Sequence, residues 1–129
     1  MKTDSSVRVD EAKNRIYLIL EGFHDLDEAI RMRDLYRDAI ARCGPGFTVL
    51  ADVSKYRPGA AEVQEVHGEA AKLAEAAGVN KVARVIGDKP LGGMQIDRIA
   101  RTEATYEARN FATFEEAEAY LDGELGSAS

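Results

Sequence analysis

The sequence predicts an α/β domain in which a mixed β-sheet is covered by about four helices. Two apolar segments near the start have the form of an antiparallel hairpin. After them, short β-branched segments alternate with amphipathic helical segments, and Gly or Pro separates several of these units. Strands that alternate with helices pair largely in parallel through right-handed crossovers, which places the helices against the sheet.

Five segments have the composition of strands, and they lie at about residues 7–9, 15–20, 47–53, 79–86 and 106–111. The first two form the hairpin, and Gly22 is expected to end its second strand. The second strand of the hairpin is continuously apolar and is therefore expected to be buried on both faces. The segment at 47–53 is short, apolar and β-branched, as expected of a central strand, and the segment at 79–86 is expected to be a further core strand. The segment at 106–111 carries charges and is expected at the sheet edge.

Four segments have helical periodicity. The first two lie at about residues 26–43 and 63–77, the third has Ile96, Ile99 and Ala100 facing inward, and the fourth follows Thr113 with Ala117, Tyr120 and Leu121 facing inward. Asp25 with Glu28, and Thr113 with Glu116, have the spacing of capping boxes at two helix starts. Gly78 follows the second helix where a left-handed residue commonly ends a helix. Residues 123–129 are small and polar and are expected to form a frayed tail, so the domain core is expected at 7–122 of the 129 residues.

Composition excludes several classes of protein. The length of 129 residues suits one domain, and the formal charge of -6 argues against nucleic acid as a partner. No apolar run is long enough to cross a bilayer, and the polar start lacks the apolar core of a secretory signal. These features predict a cytoplasmic protein without a transmembrane segment, and the single cysteine fits that compartment.

No motif predicts catalysis, a metal or a cofactor. Gly87 and Gly92 have the spacing of the two P-loop glycines, but Gly93 and Met94 stand where that loop needs Lys and Ser or Thr. His24 and His67 have no second His or Cys at metal-ligand spacing, and no G-x-S-x-G elbow is present. The sequence therefore predicts a protein that is not an enzyme.

A binding site is expected in the loops at the carboxyl ends of the parallel strands, because ligands of such sheets favour that edge. His24 follows the second strand there. The loop predicted after the third strand adds four candidates, which are Asp52, Ser54, Tyr56 and Arg57. An Asp at a strand end commonly bonds amides of the following turn, so Asp52 is either a turn residue or a functional carboxylate.

The layout of residues 7–122 resembles the STAS superfamily, whose fold is that of anti-sigma-factor antagonists, and within it a branch of small bacterial proteins related to CRAL-TRIO lipid-transfer folds. Four segments carry the resemblance by their order and spacing, and they are "IYLILEGFHD", "FTVLADVSKY", "AGVNKVARVIG" and "FATFEEAEAYL". The resemblance implies a regulatory module that binds a protein partner or a second copy of itself as a homodimer.

In regulatory STAS proteins, a strand ending in a motif like Asp-Leu-Ser is followed by Asp-Ser-Ser-Gly or Asp-Ser-Thr-Gly, where a partner kinase phosphorylates a serine. Asp52-Val53-Ser54 resembles the first element. The second position holds Arg57-Pro58-Gly59-Ala60-Ala61-Glu62, which has no hydroxyl side chain. The phosphorylation switch therefore does not carry over, and Pro58 is expected to set the geometry of the helix start instead.

Three hypotheses of function follow. The first is a non-enzymatic binding or regulatory module that acts through the surface around the second helix. The second is a carrier of a lipid or other apolar small molecule, which requires a cavity of several hundred cubic ångströms beneath that helix. The third is a hydrolase-type enzyme using His24 and Asp52, which requires both side chains to converge on one pocket.

Overall fold

The computed structural model describes residues 4–57, 59–87 and 107–123, and within them it contains five strands and three helices. The strands are β1 (Ser6–Asp10), β2 (Arg15–Phe23), β3 (Thr48–Arg57), β4 (Lys81–Val85) and β5 (Glu107–Phe111). The helices are α1 (Leu26–Ala41), α2 (Ala61–Ala76) and α3 (Phe114–Leu121). The helix predicted around residues 96–100 and the tail from residue 124 lie outside the described residues.

The strands form one mixed sheet in the order β1-β2-β3-β4-β5. β1 pairs with β2 antiparallel, and every later neighbour pairs in parallel. This confirms the predicted hairpin followed by parallel crossover units, with the charged β5 at one edge. The α/β fold class expected from the alternation of strands and helices is therefore confirmed.

Helices cover both faces of the sheet. On one face, Ile16, Val49 and Val82 pack with Tyr36 of α1 and Ala74 of α2. On the other face, residues shifted by one position along the same strands pack against α3, and these are Tyr17, Leu50 and Ala83. The alternation follows from the two-residue period of a strand and explains why the central strands are apolar on both faces.

Local side-chain chemistry fixes the predicted helix ends. Asp25 Oδ1 accepts a hydrogen bond from the Glu28 backbone amide at 2.8 Å, which caps α1. Thr113 and Glu116 form both arms of a capping box at the start of α3. Gly78 has a φ of +89° just after α2, as expected from its place beyond the last helical turn.

Two predicted strand ends are wrong. β2 continues through Gly22 to Phe23, and Gly22, with a φ of +71°, pairs with Tyr56 of β3. β3 continues to Arg57, so the segment predicted as a loop at Ser54–Arg57 is part of the strand. None of the helices in the described part of the chain is long and apolar enough to span a bilayer.

Candidate functional site

A β-bulge reshapes the carboxyl end of β3. Ile19 pairs with Asp52 and Glu21 pairs with Lys55, so Leu20 of β2 lies opposite both Val53 and Ser54 of β3. The extra residue reverses the alternation of side chains beyond it. Val53 and Tyr56 therefore lie on the same face and pack together with Leu20 and Met32.

The bulge brings Tyr56 against the two histidines of the protein. The rings of His24 and Tyr56 have centroids 5.2 Å apart, and those of Tyr56 and His67 are 5.6 Å apart. His24 and His67 are themselves 5.3 Å apart. We call these three residues the ring cluster. It joins the ends of β2 and β3 to α2, and both His24 and Tyr56 are buried.

Hydrogen bonds fix only part of the ring cluster. Ser5 Oγ lies 2.9 Å from His24 Nε2, and Gln64 Nε2 donates to the Tyr56 hydroxyl at 3.2 Å. The Gly59 backbone amide also bonds that hydroxyl. Three buried polar atoms have no hydrogen-bond partner among the described residues, and they are His24 Nδ1, His67 Nε2 and Gln64 Oε1.

Burial determines the protonation of the ring cluster. Loss of contact with water, together with the neighbouring His24, lowers the pKa of His67 to about 4. Burial also lowers the pKa of His24, although the nearby Glu28 carboxylate opposes that shift. The same cause raises the pKa of Tyr56. At neutral pH all three rings are therefore uncharged.

Asp52 and Ser54 lie apart from the ring cluster. Asp52 follows Leu50 by two residues in β3, before the bulge, which places it on the face covered by α3. Its Oδ1 accepts hydrogen bonds from the Ser54 amide at 3.0 Å and from Ser54 Oγ at 2.7 Å. Asp52 therefore acts as a local acceptor, and the structure does not bring it together with His24.

The start of α2 carries no polar cap. Ala60 occupies the cap position and makes no side-chain hydrogen bond. Gly59 lies so close to β2 that a Cβ built on it would be 3.0 Å from the His24 carbonyl oxygen. Pro58, which the sequence places at this helix start, lies outside the described residues. A side chain at position 59 would therefore require the start of α2 or the segment after β2 to shift.

Exposed apolar side chains lie beside this connection. Phe23 at the end of β2 is 58% exposed, and Leu26 at the start of α1 is 38% exposed. Arg57, which pairs with Phe23 in the sheet, is also exposed. We call Phe23, Leu26 and Arg57 the β2-end surface. Of the residues predicted for a binding surface, Arg57 belongs to the β2-end surface, whereas His24 and Tyr56 are buried.

A cavity of about 90 Å³ lies between α1, α2 and the sheet. Ten of its 13 lining residues are apolar or aromatic, including Leu20, Met32 and Val53 near the ring cluster. Its polar lining consists of Arg33 from α1, His67 from α2 and Arg84 from β4. Of the ring cluster, His67 lines this largely apolar space, whose lining also includes two arginines.

His67 lies on the side of α2 that faces the cavity beside the sheet. The sequence did not predict the burial of Tyr56. The bulge that turns its side chain inward contains no Gly, which would have indicated an irregular position in the strand. Within the described part of the chain, no three His, Cys, Asp or Glu side chains lie close enough to share a metal ion.

Comparison with known proteins identifies the fold. No family model matches the sequence, and no curated protein sequence matches it. Among solved structures, that of the anti-sigma factor antagonist SpoIIAA in its unphosphorylated form superimposes with a TM-score of 0.62 at 14% sequence identity. The match covers 92% of this chain and 98% of that one. The chain therefore has the STAS-like fold of an anti-sigma factor antagonist, as its sequence layout predicted.

Proposed function

We propose that the protein is a non-enzymatic regulatory module that binds a protein partner through the β2-end surface. The observation that carries this proposal is the 58% exposure of Phe23 next to the β3–α2 connection. A large aromatic side chain exposed in this way is typical of a contact residue, because burial against a partner removes its apolar surface from water. The likeness to an anti-sigma factor antagonist supports a regulatory role.

Regulation of this module does not use a phosphoserine at the start of α2. The segment Arg57–Glu62 carries no hydroxyl group, so a kinase has nothing to modify there. Ser54 is the nearest serine, and it already donates to Asp52 within β3. Binding is therefore expected to be constitutive with respect to phosphorylation at this position.

Affinity capture with matched variants tests the proposal. The tagged protein is used to enrich partners from the cells that produce it, in parallel with a Phe23→Ser/Leu26→Ser variant and a Leu35→Ser control. Leu35 is a fair control because it is 38% exposed, as is Leu26, and it lies in the middle of α1. The affinity of the purified partner is then measured for all three proteins.

We expect the Phe23→Ser/Leu26→Ser variant to bind the partner at least tenfold more weakly, since apolar anchors contribute about 1 kcal/mol or more each. The Leu35→Ser variant should bind as the unmodified protein does. Equal affinity of all three proteins would refute the role of the β2-end surface, and failure to enrich any protein reproducibly would refute a protein-binding function.

The proposal includes assembly as a homodimer in the cytoplasm. The sheet offers two edges, β1 and β5, to a second copy, and the partner surface lies away from the strand edges at the end of β2. Native mass spectrometry of protein purified from cells measures the assembly state directly and also detects a small molecule that co-purifies. A strictly monomeric spectrum across micromolar concentrations would remove the dimer from the proposal.

The two other hypotheses receive less support. The placement of His24 and Asp52 on opposite faces of the sheet argues against an enzyme that uses both of them. The cavity of about 90 Å³ is well below the several hundred cubic ångströms that a lipid carrier needs. The polar part of the cavity lining consists of Arg33, His67 and Arg84.

A further inference from the structure

Two basic side chains at the end of β3 differ from the others in the described part of the chain. Lys55 and Arg57 are both exposed, and neither makes an ion pair, a hydrogen bond or a ring contact within that part. All other described Lys and Arg side chains make at least one such contact or another electrostatic interaction. Unpaired positive charge is therefore concentrated at one place on the described surface.

The strand directs these two side chains to the same face as Phe23. Lys55 and Arg57 lie on either side of the buried Tyr56, so the two-residue period of β3 points them away from the ring cluster. Arg57 pairs with Phe23 of β2, and paired residues of neighbouring strands point to the same face. The two unpaired positive charges therefore adjoin the exposed aromatic ring of the β2-end surface.

The acidic side chain nearest in the sheet does not neutralise this charge. Glu21 pairs with Lys55 in the β2–β3 register, yet the two side chains do not form an ion pair. Exposed ion pairs do form elsewhere, for example between Arg42 and Glu11. A chain with a formal charge of -6 thus leaves its unpaired described bases at the surface proposed for a partner.

We propose that the partner of the β2-end surface presents an acidic segment beside an apolar side chain. The apolar side chain packs on Phe23 and Leu26, and the carboxylates of the segment bind Lys55 and Arg57. This inference rests on the proposed protein-binding function and adds the chemistry of the partner to it. Complementary charge at the rim of an interface speeds association and selects among partners.

The spacing of the two bases suits an extended acidic segment. Lys55 and Arg57 are separated by one residue in the strand, which corresponds to roughly 7 Å between their Cα atoms. Alternate residues of an extended partner chain have the same spacing, so two carboxylates at such positions can each meet one base. The guanidinium of Arg57 can also hold its carboxylate through two parallel hydrogen bonds.

A copolymer of glutamate and tyrosine is the probe, because it combines carboxylates with apolar rings and has no basic group. Its binding is measured by fluorescence anisotropy at low and at high salt. The protein as a whole repels a polyanion, so saturable binding requires a local basic site. We expect such binding, and it should weaken at high salt because exposed charges are screened. Polyglutamate, which lacks the rings, should bind at least about threefold more weakly.

Two double charge reversals locate the site. Lys55→Glu/Arg57→Glu reverses the unpaired charges, whereas Arg37→Glu/Arg42→Glu changes the net charge equally at exposed positions of α1 and its C-cap. We expect the first to weaken copolymer binding at least about tenfold at low salt, and the second to have a much smaller effect. Lys55→Arg/Arg57→Lys keeps both charges and should bind as the unmodified protein does. Lys55→Gln/Arg57→Gln replaces the first reversal if that variant does not fold.

No saturable binding of the copolymer, or equal loss in the two charge-reversed proteins, would overturn the acidic segment. Binding to vesicles of phosphatidylserine and phosphatidylcholine without binding of the copolymer would assign the surface to a membrane instead. The protein-binding function is tested separately, on a captured partner with Phe23→Ser/Leu26→Ser. If that variant weakens partner binding and Lys55→Glu/Arg57→Glu does not, the protein-binding function stands and the acidic segment is wrong.

Discussion

The imidazole rings of His24 and His67 lie 5.3 Å apart, centroid to centroid, where the end of β2 meets α2. Tyr56 packs edge-on against both rings, at interplanar angles of 80° and 83°. Two imidazolium ions at this distance would repel each other in surroundings that already disfavour charge. The packing of the ring cluster therefore depends on neutral histidines.

Acid should destabilise the protein through this pair. The pKa of His67 is lowered from about 6.5 to about 4, so the unfolded chain binds a proton between these values while the folded chain does not. Stability is thus present above about pH 6.5 and is lost as the pH falls towards 4. The loss attributable to His67 is on the order of 3 kcal/mol at the lower limit.

Denaturant unfolding of a His67→Gln variant measures this contribution, because glutamine does not titrate. Carboxylates also titrate on acidification, but they do so in both proteins and cancel in the comparison. The free energy of unfolding should fall less in the variant than in the unmodified protein between about pH 7 and pH 4. Parallel pH profiles for the two proteins would show that His67 does not titrate in the predicted range.

The hydroxyl of Tyr56 should contribute to stability because it accepts hydrogen bonds from two donors. Tyr56→Phe keeps the ring but leaves Gln64 Nε2 and the Gly59 amide without their acceptor. The expected loss in the free energy of unfolding is about 1–2 kcal/mol. Adding Gln64→Leu should recover part of that loss, because removing both partners costs less than leaving one unsatisfied. A double variant less stable than the sum of the single changes would contradict this explanation.

Local chemistry made much of the fold predictable. The caps at Asp25 and Thr113 need only neighbouring residues, and the parallel pairing of the later strands follows from the alternation of apolar segments with helices. The bulge at Val53 and Ser54 is different, because it depends on how β3 fits beside β2 and leaves no mark in either segment. Tyr56 was therefore predicted on an exposed loop, although the strand carries it into the core.

The candidate site also combines features that were predictable with features that were not. The edge of the sheet where a site was expected is the edge at which Phe23 and Arg57 are exposed and His24 is buried. The partnership of His24 with Tyr56 and His67 could not be predicted, because it requires the bulge and the placement of α2 over β3. The cavity likewise depends on the spacing between two helices, which sequence periodicity does not determine.

Thr113 should stabilise α3 by about 1 kcal/mol through its capping box. Its Oγ1 accepts from the Glu116 amide at 3.2 Å, and Glu116 Oε1 accepts from the Thr113 amide at 3.3 Å. Thr113→Ala removes the first bond, whereas Thr113→Ser preserves it. Chemical denaturation, with hydrogen exchange of the α3 amides, should separate the two variants. Equal stability of the alanine and serine variants would show that the cap is not used.

A side chain at Gly59 should lower stability, because Gly59 lies between the residue that follows β2 and the first turn of α2. A Cβ at this position would be 3.0 Å from the His24 carbonyl oxygen and 3.4 Å from Val63 Cβ, so α2 must shift to admit it. Gly44 is the matched control, since a Cβ there meets no atom within 4 Å.

We expect Gly59→Ala to lower the free energy of unfolding by about 1–2 kcal/mol. Gly44→Ala should be neutral or stabilising by up to about 1 kcal/mol, because it reduces the freedom of the unfolded chain. The shift of α2 in Gly59→Ala should also move the amide resonances of His24 and His67. If both variants unfold at the same denaturant concentration, the contact of Gly59 with His24 does not hold the start of α2 in place.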